Sequence, residues 1–79
     1  MKRRSFKVQL LKWILCRQGR VVTCQVERSG NRYQVSLAPY DQPKNRLVEL
    51  FDANVMAFQR HAALVANLRE SGWTTVAYR

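Results

Sequence analysis

Few residues in this chain have side chains that commonly carry out covalent or metal chemistry. His61 is the one histidine, Cys16 and Cys24 are the two cysteines, and five side chains are acidic. Nucleophilic catalysis needs a nucleophile, a base and a group that orients the base, and no serine, cysteine or carboxylate stands at motif spacing from His61. The separation of the two cysteines matches no zinc motif. We therefore expect a protein that is not an enzyme and that uses no metal and no cofactor.

The surroundings of these residues in the sequence suggest a structural role for them. His61 falls among the apolar positions of a predicted helix, so a buried, hydrogen-bonded histidine is the expectation. Two thiols in a small chain indicate a reducing compartment, and we expect a cytoplasmic protein. The basic start and the apolar stretch after it do not predict a signal peptide, because Lys7 and Lys12 interrupt the apolar run.

Basic side chains are numerous, and their distribution along the chain is uneven. The formal net charge is +9, and residues 1–46 hold eleven basic side chains against Glu27 and Asp41. Residues 47–79 hold three basic and three acidic side chains and are balanced. Such an excess in one half indicates a polyanionic partner, although a high net charge also keeps a small protein soluble.

Most of the aromatic residues are expected to lie in the core, namely Trp13, Tyr33, Phe51, Phe58 and Trp73. For Trp73 a position near the edge of the sheet is the alternative, because it directly follows a predicted helix end. Tyr40 belongs to a turn-rich loop at residues 39–45 and should be accessible. Exposed aromatic side chains beside basic ones are stacking platforms for single-stranded nucleic acid.

Two segments around a glycine turn predict a β-hairpin, because apolar and polar residues alternate with period two on both sides of Ser29-Gly30-Asn31. Placing Glu27 opposite Arg32 sets the register of the hairpin and gives it one apolar face. The predicted pairs are Val26 with Tyr33, Cys24 with Val35, and Val22 with Leu37.

The segment from Phe6 to Arg17 fits a strand better than a helix, for which the apolar arc would be very wide. A β-bulge at Leu10-Leu11 would join its two alternating stretches, which are in opposite phase. A two-residue turn at Gln18-Gly19 sets the pairing with the next strand. The predicted pairs are Leu15 with Val22, Trp13 with Cys24, and Leu11 with Val26.

The second half of the chain predicts a short strand, one helix and a last strand. The strand covers residues 47–51, and Asp52 is the expected N-cap of a helix from Ala53 to about Glu70. Gly72 is the expected left-handed residue that ends the helix, and residues 73–78 form the final strand. The predicted apolar arc of the helix comprises Val55, Phe58, His61, Ala62, Val65 and Leu68.

These elements predict one α+β domain over residues 1–79, with residues 1–4 as a flexible basic tail. The sheet is an antiparallel β-meander of three to four strands, with one helix packed on one face and a C-terminal strand, in the order β-β-β-β-α-β. This order is similar to small one-sided sheet folds that bind single-stranded DNA or RNA. With a helical N-terminal segment the order α-β-β-β-α-β resembles the double-stranded-RNA-binding domain, but the lysine-containing motif of that family is absent from residues 52–55.

The predicted register gives the sheet a polar, positive outer face. Lys7 and Lys12 point away from the helix, among the amides and hydroxyls of Thr23, Gln25, Gln34 and Ser36. Further basic residues flank the two predicted turns. The residues expected to contact nucleic acid are Lys2, Arg3, Arg4, Lys7, Lys12, Arg17, Arg20, Arg28 and Arg32.

Together these patterns predict a small nucleic-acid-binding module with mainly electrostatic phosphate contacts from the outer sheet face and low sequence specificity. A small adaptor or inhibitor that docks on an acidic protein surface would suit the same charge. A membrane partner is not expected, because it requires a basic amphipathic helix at the N-terminus. An edge strand could also pair with a second copy to form a homodimer.

Overall fold

A computed structural model of the chain describes residues 7–78 and shows one five-stranded antiparallel sheet with one helix. The elements are β1 (Lys7–Arg17), β2 (Arg20–Ser29), β3 (Arg32–Pro39), β4 (Leu47–Phe51), α1 (Asn54–Glu70) and β5 (Thr74–Tyr78). The strand order across the sheet is β4-β3-β2-β1-β5, and α1 packs mainly against β2 and β3. The predicted α+β meander with one helix and a C-terminal strand is confirmed, whereas the predicted tail at residues 1–4 lies outside the described residues.

The N-terminal segment is a strand, and its predicted pairing with β2 is confirmed. Leu15 lies opposite Val22 and Trp13 opposite Cys24, and the register shifts between Gln9 and Leu11, where the bulge was predicted. The turn between β1 and β2 has positive φ at both central residues, 51° and 79°, which is the pattern of a type I′ turn. The helical alternative, and with it the order of the double-stranded-RNA-binding domain, does not apply.

The hairpin of β2 and β3 forms, but its predicted register is wrong by two residues. Val26 pairs with Val35 and Cys24 with Leu37, while Glu27 lies opposite Gln34 instead of Arg32. The cause is a tighter turn of two residues, in which Gly30 adopts φ 61° as the first central residue. Because the shift is even, each side chain keeps the predicted face of the sheet.

The core lies between α1 and the covered face of the sheet, which we call the inner face; the opposite side is the outer face. One buried cluster joins Leu15 and Cys24 to Val65, and a second joins Val26 and Val35 to Ala57. The helix buries Ala57, His61 and Val65, of which His61 and Val65 belong to the predicted apolar arc.

The predicted apolar arc of α1 is wrong in its first half. Val55, Phe58 and Ala62 are exposed, whereas Ala57 is buried against the sheet. The small side chain of Ala57 allows a close approach of helix and sheet that the ring of Phe58 would prevent. Arg60, which is not part of the predicted apolar arc, is half-buried, and its Nε lies 2.6 Å from Oε1 of Glu49 on β4.

The two ends of α1 differ in how their backbone groups are satisfied. Ala53, and not the predicted Asp52, occupies the N-cap position, and no side chain bonds to the first turn. At the C-terminal end, the Trp73 N–H donates to the Leu68 carbonyl (3.0 Å) and the Gly72 N–H to the Arg69 carbonyl (3.1 Å). This pair of bonds is a Schellman motif, and the predicted left-handed glycine is confirmed with φ 97°.

Gly72→Ala is expected to lower the free energy of unfolding by about 1–2 kcal/mol, the cost of a left-handed backbone for a residue with a side chain. A Cβ at this position would also lie 3.3 Å from Nε of Arg17. Urea denaturation measures the loss, with Ser71→Ala as control, since the backbone of Ser71 has negative φ. Equal stability of Gly72→Ala and the wild type would refute this description of the helix end.

Candidate nucleic-acid interface

The structure describes six of the nine basic residues predicted to contact nucleic acid, whereas Lys2, Arg3 and Arg4 lie outside the described residues. Side chains alternate between the two faces along each strand, and this places three of the six on the outer face: Lys7, Lys12 and Arg32. The other three lie on the inner face, in the same rows as Leu15, Val22 and Val26: Arg17, Arg20 and Arg28. The predicted arrangement on one face is therefore wrong for three of the six residues, because residues next to a turn keep the alternation of their strand.

The six side chains also separate into two groups along the length of the sheet. Arg17 and Arg20 flank the β1–β2 turn. We call the end of the sheet that carries this turn the turn end. Lys7, Arg28 and Arg32 lie at the opposite end, beside Gly30, whereas Lys12 lies between the groups. Eight residues of β2 separate Arg20 from Arg28, which corresponds to about 27 Å along an extended strand.

Most of this positive charge has no acidic partner in the described part of the chain. Arg32 is the exception, with its Nε 3.7 Å from Oδ1 of Asp52, and both side chains are largely exposed. Such an exposed pair contributes little energy and is screened by salt. The second ion pair within residues 7–78 is that of Arg60 with Glu49, on the helix side of β4.

The outer face is less polar at its centre than the sequence predicts. Gln34 and Ser36 were expected to point away from the helix on this face, but they are only 8% and 2% exposed. Gln34 lies between Glu27 and Leu50, and Ser36 lies between Gln25 and Val48, so each is flanked by a side chain on both sides. Neither residue is therefore accessible to a ligand on the outer face.

An open cavity of about 610 Å³ lies at the turn end, next to Arg20. Its lining includes Tyr40, Asp41 and Gln42 from the loop after β3 and Trp73 from the segment before β5. Tyr40 is 67% exposed, as the sequence predicts. The sequence could not show that the two aromatic residues share one cavity, because they are far apart in the chain and meet only through the order of the strands.

His61 and Cys24 lie together in the core and not at the surface. His61 Nε2 is 3.0 Å from the Cys24 carbonyl oxygen, so this nitrogen carries the proton and donates. The imidazole also meets Trp13 edge-on, with ring centroids 6.1 Å apart. The expectation of a buried, hydrogen-bonded histidine is confirmed.

The two cysteines are free thiols on opposite faces of the sheet. Burial raises the pKa of Cys24 to about 11, although the nearby charge of Arg60 acts against the shift. The thiol of Cys24 is therefore protonated at neutral pH, and a protonated thiol is a poor nucleophile.

The stability of the fold is expected to decrease as the pH is lowered below about 6.5, the ordinary pKa of histidine. Burial lowers the pKa of His61, and the bond to the Cys24 carbonyl only partly opposes that shift. Below pH 6.5 the unfolded chain therefore binds more protons than the folded one, so stability falls until the pH reaches the lower pKa of the folded state.

Urea denaturation between pH 7 and 5 measures this effect, which one proton limits to about 1.4 kcal/mol per pH unit. His61→Gln keeps a hydrogen-bond donor but does not titrate, so its stability should vary much less over the same range. An equal dependence on pH in both proteins would exclude His61 as the cause.

Two kinds of feature are absent from the described part of the chain. Within residues 7–78, no three histidine, cysteine or acidic side chains lie close enough together to hold a metal ion. In the same range, no helix combines the length and the apolar character needed to cross a membrane.

Comparison with protein-family models, curated proteins and solved structures found no match for this chain. The residues of the candidate interface are therefore the basis for any functional argument: basic side chains that, apart from Arg32, lack a carboxylate partner within residues 7–78, and a cavity beside Arg20 lined by Tyr40 and Trp73.

Proposed function

We propose that this chain is a small nucleic-acid-binding module that contacts the phosphate backbone mainly by electrostatic interactions. The observation that carries the proposal is the unneutralised charge of its first half. Of the eight basic side chains described between Lys7 and Arg46, Arg32 alone lies within 4.0 Å of a carboxylate of the described residues. A polyanion would supply the missing negative charge.

Arg17 and Arg20 are the residues best placed to start such an interaction. Both are exposed, and the planar guanidinium group can donate two parallel hydrogen bonds to one phosphate. Lys44 and Arg46 lie in the loop that starts beside Arg20, and they add positive charge at the turn end.

Two lysines would extend the contact along the outer face of the sheet. Lys12 is half-buried on that face, so its aliphatic part can pack on the sheet while its ammonium group stays in water. Lys7 lies beyond it on the same face, at the opposite end, whereas Arg28 lies on the inner face and would make a separate contact. Each phosphate neutralised in this way releases bound counterions, which favours association at low salt.

Contacts of this kind carry little information about base sequence. Phosphate contacts fix the position of a nucleic acid, whereas contacts to base edges provide specificity. Gln34 and Ser36, which could have hydrogen-bonded to bases, are covered by their neighbours. We therefore propose low sequence specificity for the module.

Affinity purification of the tagged protein from a cell lysate, with and without nuclease, tests the proposal. Nucleic acid should be retained at low salt, be released at high salt, and be lost after nuclease treatment together with any proteins bound through it. If no nucleic acid is retained and acidic proteins remain bound after nuclease, the function as an adaptor on an acidic protein surface would replace this proposal.

A further inference from the structure

We propose that the cavity at the turn end is a stacking site for one unpaired nucleobase, so that single-stranded nucleic acid is the preferred ligand. This inference rests on the proposed function and adds to it a ligand class. Contacts to the phosphate backbone alone would not make the protein prefer a single strand over a duplex.

The size and lining of the cavity fit a planar aromatic ligand. Its volume of about 610 Å³ lies within the range of about 300–1,000 Å³ found for small-molecule sites. Trp73 is partly buried against the cluster of Leu15, Cys24 and Val65, which fixes one aromatic wall. Tyr40 provides a second aromatic group that is largely exposed. Bases stack readily on such side chains, whatever their identity.

The loop that carries Tyr40 is held in place before any ligand binds. The Tyr40 N–H donates to the Val21 carbonyl (2.9 Å), and the Asn45 N–H donates to the Gln42 carbonyl (3.0 Å). The side chain of Asn45 also donates to Oε1 of Gln42, at 2.7 Å. A wall that is already ordered loses little conformational entropy on binding.

The polar groups around the cavity suit a base with an attached phosphate. The exposed guanidinium of Arg20 can bind the phosphate at the mouth of the cavity. Asp41 offers an acceptor, and the Gln42 amide retains a donor, for the Watson–Crick edge of a base. Because the carboxylate of Asp41 would repel a phosphate, it favours entry of the base into the cavity.

Duplex DNA or RNA cannot use this site without disruption, because its bases are stacked and their edges are paired. Single strands expose both the faces and the edges of their bases. The cavity therefore predicts tighter binding of a single strand than of a duplex of the same sequence.

Anisotropy titrations with a labelled single strand of about 12 nucleotides, a length within known single-strand site sizes, and with its duplex test this inference. The wild type should prefer the single strand. Tyr40→Ala should weaken single-strand binding by about 5- to 150-fold, the usual range for loss of one stacked base, and should leave duplex binding unchanged. Tyr40→Phe keeps the ring and should bind like the wild type. Tyr78→Ala is the control for loss of an exposed ring, because Tyr78 is similarly exposed (69%) and does not line the cavity; its ring stacks on Trp13, with ring centroids 5.4 Å apart.

The outcomes test the stacking site separately from the proposed function. Binding of both nucleic acids with no loss in Tyr40→Ala would overturn the stacking site but leave the proposed function in place. Equal losses in Tyr40→Ala and Tyr78→Ala would also overturn the stacking site. No binding of either nucleic acid to the wild type at low salt would overturn the proposed function and the stacking site together. Thermal melts of each variant separate a lost site from a lost fold.

Discussion

Replacing Arg17 and Arg20 together by glutamine is expected to weaken nucleic-acid binding by about 25- to 60-fold at 0.1 M salt, if each contacts one phosphate and if such a contact contributes nothing at about 1 M salt. Each such contact changes the logarithm of the binding constant by about 0.7–0.9 for every tenfold change in salt. Both side chains are exposed and lack a carboxylate partner within residues 7–78. Their replacement should therefore affect binding with little effect on folding.

Arg60→Gln combined with Arg69→Gln is the control, since it removes the same amount of charge. Arg60 is already paired with Glu49, and Arg69 belongs to the half of the chain in which charges balance. We expect the control to lose less than about threefold, because distant charges are screened at this salt concentration. Equal losses in both double variants would show that only the net charge attracts the nucleic acid.

Leu15→Ala is expected to lower the free energy of unfolding by about 2–5 kcal/mol, the usual range for a fully buried leucine. Leu15 has no exposed surface and joins β1 to the helix through its contacts with Cys24 and Val65. A chain of 79 residues has a total stability of about 4–12 kcal/mol at typical values per residue. The substitution should therefore remove much of the stability of the fold.

Leu50→Ala is the matched control for this experiment, because the same atoms are removed from a leucine that is 57% exposed. Urea denaturation of the two variants should show a loss for Leu50→Ala of about 0.5 kcal/mol or less. If Leu15→Ala lost no more than Leu50→Ala, Leu15 would not lie in the core, and the register of β1 would have to be revised.

The alternation of apolar residues predicted which face β1, β2 and β3 bury, because side chains alternate strictly along a strand. It predicted the pairing of Leu15 with Val22 as well, since the turn at Gln18-Gly19 left one arrangement. For β2 and β3, any even shift buries the same side chains, so alternation alone could not choose between registers. The conformation of Gly30 decided the outcome.

The helix and the interface were harder to predict for related reasons. Apolar residues occur at many positions of α1, so sequence periodicity defined its buried face only loosely, and the pairing of Arg60 with Glu49 was not foreseen. The basic residues of the proposed interface were chosen from charge, but their positions on the two faces required the strand register. The cavity joins Tyr40 to Trp73 through tertiary structure, which local patterns do not contain.

Salt dependence of binding is the most direct test of an electrostatic contact with nucleic acid. The affinity of the wild-type protein would be measured by anisotropy titration from about 20 to 200 mM NaCl. If Lys12, Arg17 and Arg20 each contact one phosphate, the logarithm of the binding constant should fall by about 2–3 for each tenfold increase in salt. A constant affinity over this range, or no binding to either single-stranded or duplex nucleic acid at the lowest salt, would contradict the proposed function.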